Sequence, residues 1–354
     1  MAKTYKNLWP ELISFENLLS ASKKAQKGKR FKDSTALFNL NLEKELLKIQ
    51  RQLKEKTYMP GKYKEFVIYE PVKRLISAAP YRDRVVHHAL CNVIEPFFEK
   101  AFIYDSYANR KANKGTHKAI DRFQGYMQKY RYVLKCDIKK YFPSIDHEVL
   151  YKIISSKIAD EDVLWLIKII IDNSNHQEPV FDYFDGDDLL APYSRRRGLP
   201  IGNLTSQFFA NIYLNNFDHF VKDTLGCKAY VRYVDDFAVF GRDKKELWEI
   251  REEMAEHLQS LRLKLHPAKT RIFPSKTGCE FLGFYIYSNF RKVKKGNVRL
   301  FEKKLKAMQA AFRKGVISLE QIRKSIQGWI AHAEHADSYR LREKIFAKYI
   351  FSYS

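Results

Sequence analysis

The sequence predicts an α+β fold, and three observations support that prediction. Runs rich in β-branched and aromatic residues, bounded by glycine or charged turns, predict strands at residues 132–138, 229–240 and 281–287. Apolar residues at steps of three and four predict several amphipathic helices. These strands and helices do not alternate steadily, as they would around a parallel sheet, so an α+β arrangement is expected.

The predicted helices have recognisable beginnings. Leucine and isoleucine share one helical face between residues 42 and 53. Asp243 precedes a second helix, and Ser318 with Gln321 forms a capping pair in front of a third. Apolar residues follow on one face of each helix, and we assign them, Leu319 included, to the core.

Composition and charge narrow the classes of function. The 354 residues hold 64 Lys+Arg against 41 Asp+Glu, a net charge of +23 that predicts nucleic acid as the partner, a merely soluble basic protein being the alternative. The longest apolar run, residues 163–171, is interrupted by Lys168 and is far shorter than the ~20 residues of a membrane helix. We therefore expect no membrane association. The N-terminus leads into no apolar segment, and four scattered cysteines form no metal or disulfide pattern, so a cytoplasmic protein is expected.

Charge is distributed unevenly along the chain. Residues 291–354 contain 16 Lys or Arg and 5 Asp or Glu. Residues 171–194 contain six acids and no Lys or Arg. Their turn-rich stretch at 185–188 lacks the spacing of a calcium loop, so we predict a solvated, exposed insertion there.

Two adjacent aspartates lie inside the most informative run of the sequence. Residues 230–240 place Asp235 and Asp236 between apolar segments, which predicts a β-hairpin with the acids at its turn. Adjacent carboxylates repel each other, and a bound Mg²⁺ would remove that cost. The alternative is an ordinary Asp-Asp turn.

A third carboxylate, Asp137, ends another predicted strand. Three carboxylates from two neighbouring strands could hold two Mg²⁺ ions about 4 Å apart, with Mn²⁺ as a substitute, for in-line phosphoryl transfer. One ion would activate a primer 3′-hydroxyl, and the other would neutralise charge on the triphosphate. Asp146 is the weaker candidate, because aspartate at the start of a helix is usually a cap.

These residues form a pattern that resembles the reverse transcriptases. Asp137 with Phe142 resembles polymerase motif A, and residues 233–236 (Tyr-Val-Asp-Asp) resemble motif C. Between them, residues 198–211 resemble motif B. Five or more motifs occur in the family's order, since the segments described next also match.

Flanking segments extend the resemblance over nearly the whole chain. Residues 263–270 resemble motif D, and residues 281–284 resemble motif E, the primer grip. Upstream, residues 69–77 and 83–90 resemble the fingers of group II intron-like enzymes.

The resemblance implies a right-hand polymerase fold with three parts. Residues 1–130 would form an N-terminal extension and fingers. Residues 131–288 would form a palm of antiparallel sheet plus helices, with the acidic insertion at about 172–194. Residues 289–354 would form a short, basic helical thumb along the duplex.

Motif B indicates the subtype. Most reverse transcriptases carry Gln-Gly-x-x-x-Ser-Pro there, whereas this chain has Ile201 in place of Gln and Gln207 in place of Pro. That pattern resembles the enzymes of diversity-generating retroelements, which copy a template-repeat RNA into cDNA with errors at adenines. A glutamine could hydrogen-bond near the incoming nucleotide and Ile201 cannot, which would loosen discrimination. Simple packing of Ile201 is the alternative.

The resemblance also implies the site residues. The catalytic residues would be Asp137, Asp235, Asp236 and Lys269, the last as general acid to pyrophosphate. The metal ligands would be Asp137, Ile138, Asp235 and Asp236. The incoming nucleotide and templating pair would contact Arg74, Arg84, Phe142, Ile201, Gly202 and Gln207. Phe142 would exclude a ribose 2′-hydroxyl, and its alternative role is a core aromatic.

The implied partners are an RNA template, a DNA or RNA primer, dNTPs and a basic oligomeric accessory protein. The acidic loop at residues 172–188 is a conceivable docking site for that accessory protein. Two alternatives stay open at this point. One is a retron-like or defence-related reverse transcriptase without hypermutation, and the other is a catalytically silent RNA-binding scaffold.

Overall fold

The computed structural model describes residues 4–69, 73–110, 113–175 and 178–351. Its helices are α1 (Trp9–Leu12), α2 (Phe15–Ala25), α3 (Asp33–Leu40), α4 (Leu42–Lys54), α5 (Tyr81–Glu99), α6 (Thr116–Lys129), α7 (Tyr141–Ser144), α8 (His147–Ser155), α9 (Glu161–Asp172), α10 (Ala191–Ser194), α11 (Leu204–Tyr213), α12 (Asn215–His219), α13 (Lys244–Ser260), α14 (Lys295–Arg313), α15 (Leu319–Ala333) and α16 (Tyr339–Lys348). Its strands are β1 (Lys64–Ile68), β2 (Arg74–Ala78), β3 (Tyr132–Asp137), β4 (Tyr230–Tyr233), β5 (Asp236–Gly241), β6 (Arg271–Pro274), β7 (Cys279–Phe281), β8 (Phe284–Ile286) and β9 (Arg291–Val293). The predicted α+β class is confirmed.

The central sheet has the strand order β4-β5-β3-β6, and every neighbouring pair is antiparallel. Because side chains alternate along a strand, each face of this sheet is apolar. Leu134 and Cys136 of β3 belong to the main apolar cluster with the surrounding helices, whereas Val133 belongs to a second cluster under α6. The sheet is therefore a rigid support buried on both faces, and only its edge at Asp137 reaches the site described below.

The N-terminal part of the chain combines a hairpin with packed helices. Strands β1 and β2 pair antiparallel, and α2 packs along α5. The predicted stripe on α4 is confirmed, since Leu46, Ile49 and Leu53 are fully buried. Of the segment 69–77 that resembles fingers, residues 70–72 lie outside the described residues.

The predicted strand at 281–287 is wrong, because the chain turns in the middle of it. Strand β7 ends at Phe281 and β8 begins at Phe284. Leu282 (φ 46°) and Gly283 (φ 87°) form the turn in the left-handed region, which interrupts the extended backbone. The strand order of this third sheet is β7-β8-β9, so β9 pairs with β8 across the predicted domain boundary at residue 288.

Helices α14, α15 and α16 form the C-terminal part, as the thumb prediction requires. The capping box at Ser318 and Gln321 is present in both directions, and Asp243 caps α13 by accepting from two backbone N–H groups. Leu319 is half exposed, however, and does not belong to the core. As the first residue of α15 it lies ahead of the buried face, which begins at Ile322.

The predicted exposed loop at residues 185–188 is confirmed, since Asp185, Gly186 and Asp188 are exposed, but other acids of the stretch are ion-paired. Asp182 lies 2.9 Å from Lys139 and 3.7 Å from Lys264, and Arg195 pairs with Asp187. Arg195 is a local partner of Asp187, but no local pattern indicates the partners of Asp182, because Lys139 and Lys264 lie far away along the chain. The insertion therefore packs on the central sheet's edge through ion pairs. No helix of the described chain is long and apolar enough to span a membrane.

Candidate active site

The predicted hairpin is confirmed, and its turn is strained. Strands β4 and β5 are joined by Val234 and Asp235, with Tyr233 opposite Asp236. Val234 has φ 58°, a left-handed conformation that a β-branched residue rarely adopts. Something must therefore hold this turn in place.

A buried ion pair provides that support. Arg232 donates from Nη1 to the carbonyl of Val234 at 3.0 Å. Its Nε and Nη2 donate to the two oxygens of Asp218 at 2.6 and 2.5 Å, and both side chains are fully buried. Burial lowers the pKa of Arg232, but the Asp218 carboxylate outweighs it and the pKa lies above its ordinary value.

Sequence reasoning missed this pair. The available signal was a lone arginine within an apolar strand, because a buried charge needs a partner. Nothing in the sequence indicates that the partner is Asp218, which lies on α12.

The three predicted carboxylates come together at the edge of the central sheet. Asp137, the last residue of β3, lies directly opposite Asp236, the first residue of β5. The N–H of Ile138 donates to the carbonyl of Asp235 at 3.3 Å, which ties the end of β3 to the hairpin turn. Antiparallel register thus places Asp137 beside both hairpin aspartates.

Burial and mutual repulsion raise the pKa values of the two hairpin aspartates. Burial, followed by the charge of Asp137, raises the pKa of Asp235 to about 6, while Lys269 and Arg74 act in the opposite direction. Burial and the neighbouring carboxylates raise the pKa of Asp236 to about 7, although Lys135 counteracts them. Burial is therefore the main cause of both shifts and repulsion between the carboxylates adds to it, so a bound cation would favour the ionised forms.

Lys269 lies at this cluster, as predicted. Its Nζ donates to both oxygens of Asp137, at 3.0 and 3.1 Å. The segment that carries it is fixed to β3, because the N–H of His266 donates to the carbonyl of Asp137 at 2.7 Å. The proposed role of Lys269 as a general acid stays a prediction.

The donor set fits a hard divalent cation. Among the residues that the structure describes, no three His, Cys, Asp or Glu side chains are grouped so that they hold an ion as they stand. Oδ1 of Asp236 is nevertheless buried without a hydrogen-bond partner, and Lys135 approaches only Oδ2, at 3.5 Å. An unsatisfied carboxylate oxygen beside two further carboxylates is a suitable ligand for such a cation.

Motif B is attached to the hairpin of β1 and β2, which lies in the predicted fingers and is called the fingers hairpin below. The N–H of Ser77 in β2 donates to the carbonyl of Ile201 at 2.9 Å. Asn203, which sequence reasoning did not single out, is buried, donates to the carbonyl of Ser77 and accepts from the N–H of Ala79. Gly202 has φ 119°, and a Cβ there would lie 3.0 Å from the side chain of Ile76. The glycine therefore permits the backbone of motif B to lie close to β2 of the fingers hairpin.

The other predicted nucleotide-site residues differ in their exposure to solvent. Arg74 is exposed at the start of β2, and its charge reaches Asp235. Arg84 is half-buried, and its Nε donates to the carbonyl of Ala79 at 2.8 Å. Phe142 and Gln207 are half-buried, Phe142 packing beside the main apolar cluster.

The predicted primer grip needs one correction. Phe281 and Phe284 are fully buried, and Phe281 stacks on Phe123, so their rings belong to the core. Within residues 281–284, only the turn at Leu282 and Gly283 is not buried and can face a nucleic-acid strand. Next to it, a groove of about 740 Å³ runs between α14 and α15. Its lining includes Lys303, Lys304, Lys324, Gly328, Trp329 and His332.

An antiparallel sheet that carries three aspartates at one edge, with a fingers hairpin and a helical thumb attached, is the palm of a right-hand polymerase. The sequence matches the reverse transcriptase (RNA-dependent DNA polymerase) family over residues 70–286, more than half of the chain. The chain therefore belongs to the reverse transcriptase family. Reverse transcriptases use divalent metal ions, which agrees with the donor set above.

Individual relatives support the same assignment. The chain is 27% identical to protein YkfC of Escherichia coli K12 over 248 residues, covering 59% of this chain and 62% of YkfC. It is 24% identical to the group II intron-encoded protein LtrA of Lactococcus lactis subsp. cremoris over 341 residues, covering 77% of this chain and 54% of LtrA. The match therefore spans less than two thirds of either relative.

Among solved structures, apo telomerase from Candida tropicalis, truncated from its C-terminal domain, superposes with a TM-score of 0.48 at 15% identity. That superposition covers 69% of this chain and 59% of the telomerase chain.

Proposed function

We propose that this protein is an RNA-directed DNA polymerase that makes error-prone, adenine-mutagenic cDNA for a diversity-generating retroelement. One observation carries the polymerase part of the proposal, namely Asp137 opposite Asp236 with Asp235 at the adjoining turn. Membership of the reverse transcriptase family supports RNA as the template and dNTPs as the substrates.

The chain's own residues suit this chemistry. Asp137, Asp235 and Asp236, together with the carbonyl of Ile138, would hold two Mg²⁺ ions. Such ions supply charge that activates the primer 3′-hydroxyl and stabilises the triphosphate as it departs. Arg74, whose charge already reaches Asp235, would bind the triphosphate.

Lys269 adds a second positive charge at the same carboxylates. Its ammonium group lies within hydrogen-bond distance of Asp137 and more than half of its side chain is exposed, so it can turn toward a ligand. A lysine there would give its proton to the departing pyrophosphate.

Primer extension on an RNA template tests the polymerase proposal. Asp235→Ala should lower Mg²⁺-dependent extension by about a thousandfold or more, because it removes a ligand from the reacting centre. Asp223→Asn, on the exposed surface, is the matched control and should extend normally. Normal extension by Asp235→Ala would contradict the assignment of catalysis to this carboxylate, and absence of Mg²⁺-dependent extension by the unsubstituted protein would favour the silent RNA-binding scaffold.

The retroelement subtype rests on motif B. Ile201 is half-buried and belongs to none of the apolar clusters that the described residues form. Its backbone is fixed to β2, the strand that begins with Arg74. We infer that Ile201 faces the nucleotide and offers no hydrogen bond there, so that mispaired nucleotides are rejected less strictly.

Sequencing of cDNA from a defined RNA template tests that inference. Ile201→Gln should lower misincorporation opposite adenine several-fold, and Ile201→Leu should preserve it. Unchanged adenine errors in Ile201→Gln would contradict the account and favour a retron-like or defence-related enzyme.

The accessory protein is proposed on charge alone. Asp185 is exposed within the acidic insertion, unlike Asp182 and Asp187, which are neutralised by neighbouring cations. A basic oligomer would dock on such remaining free acids. Asp185→Lys should therefore weaken its binding at low salt, and unchanged affinity would exclude this docking site.

A further inference from the structure

The third sheet has one buried face and one open face. On the buried face, Phe281, Phe284 and Val293 pack into the second apolar cluster. Side chains alternate along strands, so the opposite face carries Tyr285 of β8, and Tyr287, just beyond β8, follows on the same side. The open face is therefore aromatic, which is unusual for a sheet surface in contact with solvent.

Three rings form a continuous row on this open face. The ring centroids of Tyr285 and Tyr287 lie 5.2 Å apart, and those of Tyr287 and Phe290 lie 4.2 Å apart at an interplanar angle of 19°. Tyr285 and Phe290 remain 36% and 38% exposed. The row thus holds its rings in order and leaves ring surface at both ends for a ligand. We call Tyr285, Tyr287 and Phe290 the aromatic row.

The backbone around the aromatic row is shaped to fit it. A Cβ at Gly278 (φ 78°) would lie 2.6 Å from the ring of Tyr285 and 2.8 Å from that of Tyr287. Only glycine allows the two rings to lie against the chain at this position. The N–H of Tyr287 also donates to the carbonyl of Phe290, and Gln124 donates to the carbonyl of Tyr287. The row is therefore preorganised.

One cation, Lys292, lies beside the aromatic row. Nζ of Lys292 lies 5.3 Å from the ring centroid of Phe290 and 5.8 Å from that of Tyr287. Lys276 is exposed nearby in sequence, just before Gly278. The acid on this face, Glu280, is already paired with Lys294. Flat apolar rings beside positive charge suit a ligand with flat bases and phosphates.

Single-stranded RNA matches this chemistry better than a duplex. Bases in a duplex stack on each other and cannot insert against protein rings, whereas unpaired bases can. We propose that the aromatic row and Lys292 form a binding site for single-stranded template RNA, on a different sheet from the three aspartates. Template RNA as the strand's identity rests on the proposed function.

Fluorescence anisotropy with a labelled single-stranded RNA of about 12 nucleotides tests the site. No dNTP or divalent ion is added, and the full chain is used. Tyr287→Ala and Phe290→Ala should each weaken binding about tenfold, since each removes a stacking surface. Phe290→Tyr should retain affinity. Lys292→Gln should reduce the slope of log affinity against log salt by about one.

The controls separate this site from general attraction and from catalysis. Trp248→Ala, which removes an aromatic of similar exposure on α13, should bind the RNA normally. Asp235→Asn should also bind it normally while losing primer extension, so failure of the site and failure of the polymerase proposal are distinguishable. Circular dichroism confirms folding of each variant.

Two results would overturn the proposal. One is an affinity of Phe290→Ala and Tyr287→Ala for the single-stranded RNA that lies within twofold of the affinity of the unsubstituted protein. The other is an equal loss of affinity for an RNA duplex of the same length, since stacking does not explain that outcome. Photocrosslinking of 4-thiouridine RNA should label the peptide containing residues 285–292, and labelling confined to other peptides would contradict the site.

Discussion

Two acidic regions of this protein differ in how their charges are balanced. The first is the edge of the central sheet that carries Asp137, Asp235 and Asp236, called the palm edge. There, burial and mutual repulsion raise the pKa values of Asp235 and Asp236 to about 6 and 7. In the insertion, Asp182 and Asp187 are each held by cations within ion-pair distance. Buried carboxylates that lie together with raised pKa values indicate a site for a cationic ligand, whereas the ion-paired carboxylates of the insertion indicate a structural role.

The largest expected effect concerns the support of the palm edge. Arg232→Met should lower the free energy of unfolding by about 3 to 5 kcal/mol, because Asp218 is then buried without its partner. Urea denaturation measures the change. Adding Asp218→Leu should restore much of the stability, but polymerase activity should stay low, because nothing then holds the carbonyl of Val234. Recovery of activity in the double variant would show that the pair serves only stability.

The second expected effect is a pH dependence at the palm edge. A carboxyl whose folded pKa is raised binds more protons in the folded state, so stability falls as pH rises from about 4 to about 7. Asp236→Asn should remove part of this fall and, at neutral pH with a metal chelator present, raise the free energy of unfolding by about 1 to 2 kcal/mol. Thermal unfolding across that pH range measures it, and an unchanged profile would contradict the charge balance.

The smallest effect is expected in the insertion. Asp182→Asn removes the partner of Lys139 and Lys264, both partly exposed, and should lower the free energy of unfolding by about 0.5 to 1 kcal/mol. Asp185→Asn, at an exposed position of the same insertion, should change it little. If Asp182→Asn instead stabilises the protein, the two acidic regions do not differ as described.

Much of the site could be predicted from the sequence because its determinants are local. The hairpin and its two aspartates follow from eleven consecutive residues, 230–240, and Asp137 follows from the end of a single strand. What could not be predicted depends on contacts between distant segments. The partners of Arg232 and Asp182, and the bonds of Asn203 to the fingers, join parts of the chain that no local pattern connects.

The third sheet shows a different limit of the sequence. Residues 281–287 have the composition of one strand, and the turn inside them depends on two left-handed residues, of which only Gly283 is of the usual type. The sequence shows the alternation of apolar and aromatic residues. It does not show which face of the sheet lies in the core, because that depends on the position of the turn.

Primer extension by Asp236→Asn and Asp182→Asn, measured side by side with Mg²⁺ on one RNA template, tests the central claim most directly. We predict that Asp236→Asn loses extension by about a thousandfold or more while remaining folded, and that Asp182→Asn extends nearly as well as the unsubstituted protein. Comparable extension by both variants, or loss confined to Asp182→Asn, would contradict the assignment of catalysis to the palm edge.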